Sequence, residues 1–107
     1  MPYQKVTLDI VHDAPPLSDY VDQRSLAAGV AETVTVPAWA NVVLFSSTGN
    51  FAVRADGSAA VYPAADKTDG TGSALNPTIR RVNPSGTFSV IADATCQVTM
   101  EFFQKGG

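Results

Sequence analysis

The sequence predicts an all-β fold, an antiparallel β-sandwich that is jelly-roll-like, and three observations carry that expectation. The chain holds 13 Val and 10 Thr against 5 Leu and 2 Glu, and β-branched side chains suit a pleated, half-buried surface better than a helix. Seven or eight short stretches alternate apolar with polar residues, which is the strand period. Turn signals built on Gly, Pro and Asn separate these stretches at regular intervals, as in sandwiches and small barrels. A length of 107 residues fits one domain, residues 1–107, with one core that buries roughly 65% of the unfolded surface.

The first expected strand, residues 6–11, sets Val6, Leu8 and Ile10 on one face against Thr7 and Asp9 on the other. His12, Asp13, Ala14, Pro15 and Pro16 stop it, because proline cannot donate to a ladder. Residues 18–28 read two ways. Ser18 as an N-cap and Gly29 as a stop allow a short helix, while Val21, Gln23 and Ser25 in one phase allow a strand. In residues 30–36 the valines Val30, Val34 and Val36 share a phase opposite Thr33 and Thr35, and Glu32, which shares the apolar phase, is expected at a rim. Residues 37–41 turn a corner.

Two apolar runs, Val42–Ser47 and Phe51–Arg54, flank Thr48, Gly49 and Asn50, which predicts a hairpin with Gly49 accepting positive φ. Ala55, Asp56 and Gly57 form the next turn signal. Residues 59–62 allow a brief strand, and PAADKTDGTGSALNP, residues 63–77, is the longest expected loop. Residues 78–82 resume an extended pattern. Asn83, Pro84, Ser85 and Gly86 match a type I turn and predict a second hairpin. Its return strand carries Phe88, Val90 and Ala92, and the final strand alternates Cys96, Val98, Met100 and Phe102 with Gln97, Thr99 and Glu101. Residues 105–107 are expected to be loose. The expected core comprises Val34, Val36, Val43, Phe45, Val53, Val90, Val98 and Met100.

Charged residues make up 16% of the chain, against about 25% in an ordinary domain. The net charge is -3 and the cations are dispersed, which argues against nucleic acid as a partner. No apolar run approaches the roughly 20 residues that span a bilayer, and the first ten residues lack the apolar region of a signal peptide. The expectation is therefore a chain made in the cytoplasm, with no membrane partner. A single cysteine excludes an internal disulfide.

Chemistry-bearing residues are sparse. His12 is the only histidine; Asp9 and Asp13 flank it, but Asp9 projects from the other side of the expected strand, so a strand-end histidine is the better reading than a metal ligand. Cys96, in phase with Val98, Met100 and Phe102, reads as a small core residue rather than a nucleophile. Ser46 and Ser47 lack a nucleophile-elbow context. Asp66, Asp69 and Gly70 approach a calcium loop, yet the spacing is wrong and no Glu follows in the loop. The sequence thus predicts no enzyme, no cofactor and no metal.

Bulky residues stand where a monomer has little use for them. Trp39 falls in the corner at residues 37–41, either folded back as a lid or presented as an interface anchor. Arg80 and Arg81 are adjacent in a strand, so one points toward the side a sheet normally buries unless an edge, a bulge or a subunit contact relieves it. Phe103 likewise opposes an inward Phe102. Trp39, Arg80, Arg81 and Phe103 are the candidate interface residues.

Through SLAAGVAETVTVPAWANVVLFSSTGNFAVR, SALNPTIRRV and the terminal strand, residues 25–103 in all, the chain resembles small structural proteins of tailed-bacteriophage virions, of the capsid-associated or decoration type. Trp39 departs from the small turn residue expected at that corner. The resemblance implies a β-sandwich subunit that assembles in copies, as a homotrimer, on the exterior of the capsid against the major capsid protein. It carries no assigned functional residue. The rival expectation is a phage surface binding module, associated with a fibre or spike, that recognises a carbohydrate or host receptor through Trp39 and Tyr62.

Overall fold

A computed structural model describes residues 17–105. The expected strand at residues 6–11, with Asp9, His12 and Asp13, lies outside the described residues. Eight strands follow the alternation of the sequence: β1 (Tyr20–Leu26), β2 (Glu32–Thr35), β3 (Val42–Ser47), β4 (Phe51–Arg54), β5 (Ala74–Leu75), β6 (Ile79–Arg81), β7 (Thr87–Ala92) and β8 (Cys96–Phe103). They form two four-stranded sheets, sheet A in the order β1-β8-β3-β6 and sheet B in the order β2-β7-β4-β5. Every strand pairing is antiparallel. The fold is an all-β sandwich.

The alternation of β8 explains why it sits at the centre of sheet A. Cys96, Val98, Met100 and Phe102 all face inward and are buried, and this strand pairs with β1 on one side and β3 on the other. Across the sandwich, Val34, Phe51 and Val90 of sheet B meet Val43 and Phe45 of sheet A in one cluster. All eight expected core residues belong to it, Val53 at its margin. The ring of Phe45 lies 5.6 Å from that of Phe51 and 5.7 Å from that of Phe88, distances at which aromatic pairs add to simple burial.

Residues 18–28 resolve in favour of the strand. Ser18 caps no helix; its hydroxyl donates to the carbonyl of Phe102 at 2.5 Å and accepts the N–H of Tyr20 at 3.0 Å, fastening the start of β1 to β8. Val30 is exposed, contrary to its phase with Val34, because Gly29 turns at φ 73° and the strand begins only at Glu32. Glu32 stands at a rim and accepts from Arg24 at 3.0 Å. Residues 59–62 form no strand and instead belong to the loop that leads to β5. Lys105 is not loose: it exchanges two hydrogen bonds with the side chain of Asn41, at 2.8 and 3.1 Å.

Both expected hairpins are corrected. β3 and β4 lie in different sheets, so residues 48–50 form an arch from sheet A to sheet B. Thr48 N–H donates to Gln97 at 3.0 Å, keeping the arch on β8, while Phe51 N–H donates to the Asn76 side chain at 2.9 Å. Gly49 is needed there for space rather than for positive φ, since a Cβ at that point would stand 3.1 Å from the Cys96 Cβ. The 83–86 turn also joins different sheets. Its N–H of Gly86 donates to Asn83 at 2.9 Å, and the φ of 62° at Ser85 makes it a type II rather than a type I turn.

Gly49→Ala is expected to lower stability by about 1–3 kcal/mol, because the nearest atom, the Cys96 Cβ, is fixed directly to the backbone of β8 and cannot swing aside. Gly72→Ala serves as the control. With its nearest contact at 3.8 Å, it is expected to stay within about 0.5 kcal/mol. Urea denaturation of the two variants checks the contrast.

Candidate functional site

The two outer faces of the sandwich differ. On sheet B, the segment between β4 and β5 folds back over the strands: Ala60 is buried against Ala52 and Ile91, with Tyr62 packed beside them. The buried hydroxyl of Ser89 accepts the Ala60 N–H at 2.8 Å and fixes this cover. Every residue of β7 from Phe88 to Ala92 is therefore buried, on both faces.

No described segment performs that service for sheet A. Register sets Phe103, Val42 and Arg81 side by side in one outward row, and Val21, Glu101, Leu44 and Ile79 in the next. Val21 and Ile79 are exposed, while Val42, Leu44 and Phe103 are half-buried. Five apolar side chains thus surround one anion and one cation. Glu101 Oε1 accepts the N–H of Ser18 at 3.3 Å. A contiguous apolar patch on a small domain is the kind of surface that contacts partners.

Three of the four candidate interface residues fall on or beside this face. Phe103 lies in its first row, opposite the inward Phe102 as expected. Arg81 ends the same row, and Arg80, in register with the buried Val43, belongs to the inward phase. The edge position of β6 relieves the conflict, and all three of its residues are exposed. Trp39 is 43% exposed and stands elsewhere: its ring meets Tyr20 edge-on at 5.6 Å, and Tyr20 meets Phe102 edge-on at 6.0 Å. It is a lid on one end of the core with a face left in solvent.

Where the edge strands β5 and β6 face each other the sandwich stays open, leaving a cleft of about 370 Å³. Phe45, Val53, Val82 and Phe88 supply its apolar wall, and Arg54, Arg80 and Arg81 border it. Arg54 Nε donates to Asp56 Oδ1 at 2.7 Å. That guanidinium, with help from the Ser58 N–H, holds the Asp56 carboxyl below the usual carboxylate range, and Asp56 raises Arg54 in turn. A second cleft of about 390 Å³ runs under the covering loop, lined by Tyr62, Asp66, Lys67 and Arg54 among others. Burial pushes the Tyr62 hydroxyl up, and Asp93 adds to the shift.

Little else has catalytic geometry. Asp69 Oδ1 accepts from both the hydroxyl and the N–H of Thr71, at 2.6 and 3.1 Å, so it builds its own turn, and these bonds hold its carboxyl low. Cys96 is buried, with Sγ 3.8 Å from the Asn50 carbonyl. Among the described residues no three His, Cys, Asp or Glu side chains converge as a metal site. Comparison of the chain with protein-family models, curated proteins and solved structures found no match.

Sequence reasoning missed Ser18, Asn76 and Ser89. Asn76 takes φ 48° and joins the β5–β6 corner to the arch through Phe51 and Asn50; its place before Pro77 is the one local signal. Nothing local marks Ser89, whose value depends on a loop folding back from far along the chain. Ser89→Ala is expected to leave the Ala60 N–H unpaired and cost about 1–3 kcal/mol, with faster hydrogen exchange and proteolysis confined to residues 55–73. Trp39→Ala should cost about 0.5–1.5 kcal/mol, the scale of one aromatic pair, against about 3–5 kcal/mol for Phe102→Ala, as read from denaturation midpoints.

Proposed function

We propose that this chain is a non-enzymatic structural subunit of a bacteriophage virion, one that associates with its own copies as a trimer and decorates the capsid exterior against the major capsid protein. The observation that carries the reading is the apolar face of sheet A, which no described segment covers. A long loop covers sheet B, whereas no described segment covers Val21, Val42, Leu44, Ile79 and Phe103 on sheet A. Such a face gains by being covered: burial contributes roughly 25 cal/mol per Å² of apolar surface, and an interface needs an apolar centre with a polar rim. The resemblance of residues 25–103 to virion structural proteins points the same way and supplies the trimer.

The strand pairing supports it further. β1 with β8, β2 with β7, β3 with β6 and β4 with β5 is the nesting of one long hairpin rolled into two sheets. We read it as the jelly roll, an architecture that viral capsid and lectin domains both use. A second reading draws on one observation of its own. The cleft that places Tyr62 beside Asp66 and Lys67 combines an aromatic surface with polar side chains, as recognition of a carbohydrate requires.

Light scattering of the isolated protein, followed by mixing with undecorated capsids and a glycan array, separates the two. Association and capsid binding, both weakened by Leu44→Lys with the circular dichroism spectrum unchanged, are the expected outcome. A stable monomer that ignores capsids and binds a defined glycan through Tyr62 would sink the decoration reading and establish its rival.

A further inference from the structure

Three of the chain's four arginines line a single cleft, the one between β5 and β6. Arg54 stands on the sheet B side at the end of β4, and Arg80 and Arg81 stand on the sheet A side in β6. Asp56 is the one acidic residue among the described lining residues, and Arg54 Nε already donates to its Oδ1 at 2.7 Å. The cleft is thus locally cationic in a chain whose net charge is -3. Among the described residues Arg80 and Arg81 meet no carboxylate, and Arg80 Nη1 donates to the carbonyl of Ile79 at 2.8 Å. A guanidinium carries five N–H donors, so this bond orients the fork of Arg80 and leaves most of it unused.

The topology explains why cations meet an apolar wall here. Arg80 belongs to the inward phase of β6, but β5, the edge strand across the sandwich, is two residues long, and Gly70, Gly72 and Ala74 line that side with almost no side chain. Space that a longer and bulkier strand would fill stays open, walled by the buried Phe45 and Phe88. At about 370 Å³ the cleft lies at the lower end of the range of ligand pockets, and it shares their make-up, an apolar lining with a few converging polar groups. The apolar wall lowers the local dielectric and strengthens a charge pair formed beside it. Arginine is also the cation whose planar fork meets an oxyanion with two parallel hydrogen bonds.

We propose that this cleft binds a small amphiphilic oxyanion, a carboxylate or phosphate monoester carried on an apolar body. The head pairs with Arg80 and Arg81, and the body lies against Phe45, Val53 and Phe88. Each half of the ligand answers one half of the site. A bare anion buries no apolar surface, an uncharged apolar molecule takes water from the arginines and gives them no partner, and a cation is repelled. Every residue involved belongs to one copy of the chain, so the inference stands apart from the reading that copies assemble.

Titration calorimetry of the full-length protein with octanoate and octyl phosphate, below micelle formation, tests it, with octanol, octyltrimethylammonium and acetate as comparisons. Saturable one-to-one binding of at least one of the two anions, about tenfold or more tighter than any comparison compound, is expected, and the tighter anion identifies the head group. Arg80→Gln/Arg81→Gln is expected to weaken that binding about tenfold or more through the lost charge-assisted hydrogen bonds. Ala74 is in register with Val53 of the cleft wall, so Ala74→Phe, which changes no charge, is expected to plug the space and abolish binding. Circular dichroism establishes that both variants keep the fold. Leu44→Lys, on the outer face of sheet A, is expected to bind the anion unchanged, which keeps this test separate from that of assembly. Octanol bound as tightly as the anions, an anion titration unaltered by Arg80→Gln/Arg81→Gln or by a folded Ala74→Phe, or no binding of either anion would overturn the site.

Discussion

The fold depends on β7 and β8, which follow each other in sequence but stand at the centres of opposite sheets. Residues 93–95 carry the chain from one sheet to the other, and each strand is then held on both sides, β7 by β2 and β4, β8 by β1 and β3. The first four strands consequently find their main partners only in the last part of the chain: Tyr20 pairs with Phe102, and Glu32 with Val90. Closing such long loops costs entropy before any contact offsets it. The reward is concentrated in the same place, since the inward residues of β7 and β8 supply half of the main core cluster. Thr48 and Ser18 then tie the corners to β8 through hydrogen bonds with Gln97 and Phe102, and Asn76 ties its corner to β4 through Phe51.

That arrangement explains what was legible in the sequence. The class and the core follow from period two alone: Val98, Met100 and Phe102 point inward because their neighbours in the chain do not, whichever strand lies alongside. Partner choice has no such local mark. An arch and a hairpin both require a tight turn between apolar runs, so the segment around Gly49 reads identically for either. The difference lies in where Phe45 and Phe51 go, and across an arch they meet through the core, with rings tilted to each other at 5.6 Å, instead of lying along one sheet. Residues 59–62 mislead for a related reason, because a segment that covers a sheet needs the same apolar residues as one that joins it.

The candidate site was legible where a residue broke a local rule. Two adjacent arginines in a strand must point to opposite sides, and an edge is one of the few places that tolerates this; β6 is an edge. Phe103 opposing Phe102 gave the outward face by the same logic. Trp39 reads in sequence as a lid or as an interface anchor; in space its ring packs edge-on against Tyr20 and stays 43% exposed. What could not be read is the contrast between the sheets. It depends on the loop between β4 and β5 covering one outer face and on no described segment covering the other, which is a matter of topology and not of composition.

Arg81 joins the two surfaces and makes them interdependent. It ends the outward row of Phe103 and Val42 and also lines the cleft. A partner lying on the sheet A face takes water away from this guanidinium, and a charge buried without a partner is strongly unfavourable, whereas one already bonded to a carboxylate is much less so. A carboxylate that met this guanidinium would lower the cost of covering the face, and a covered face would strengthen that ion pair by reducing the local dielectric. The coupling is reciprocal, as any difference in binding free energy must be. Contacts at the face and at the cleft would for that reason be coupled to each other, through one arginine at the edge of a three-residue strand.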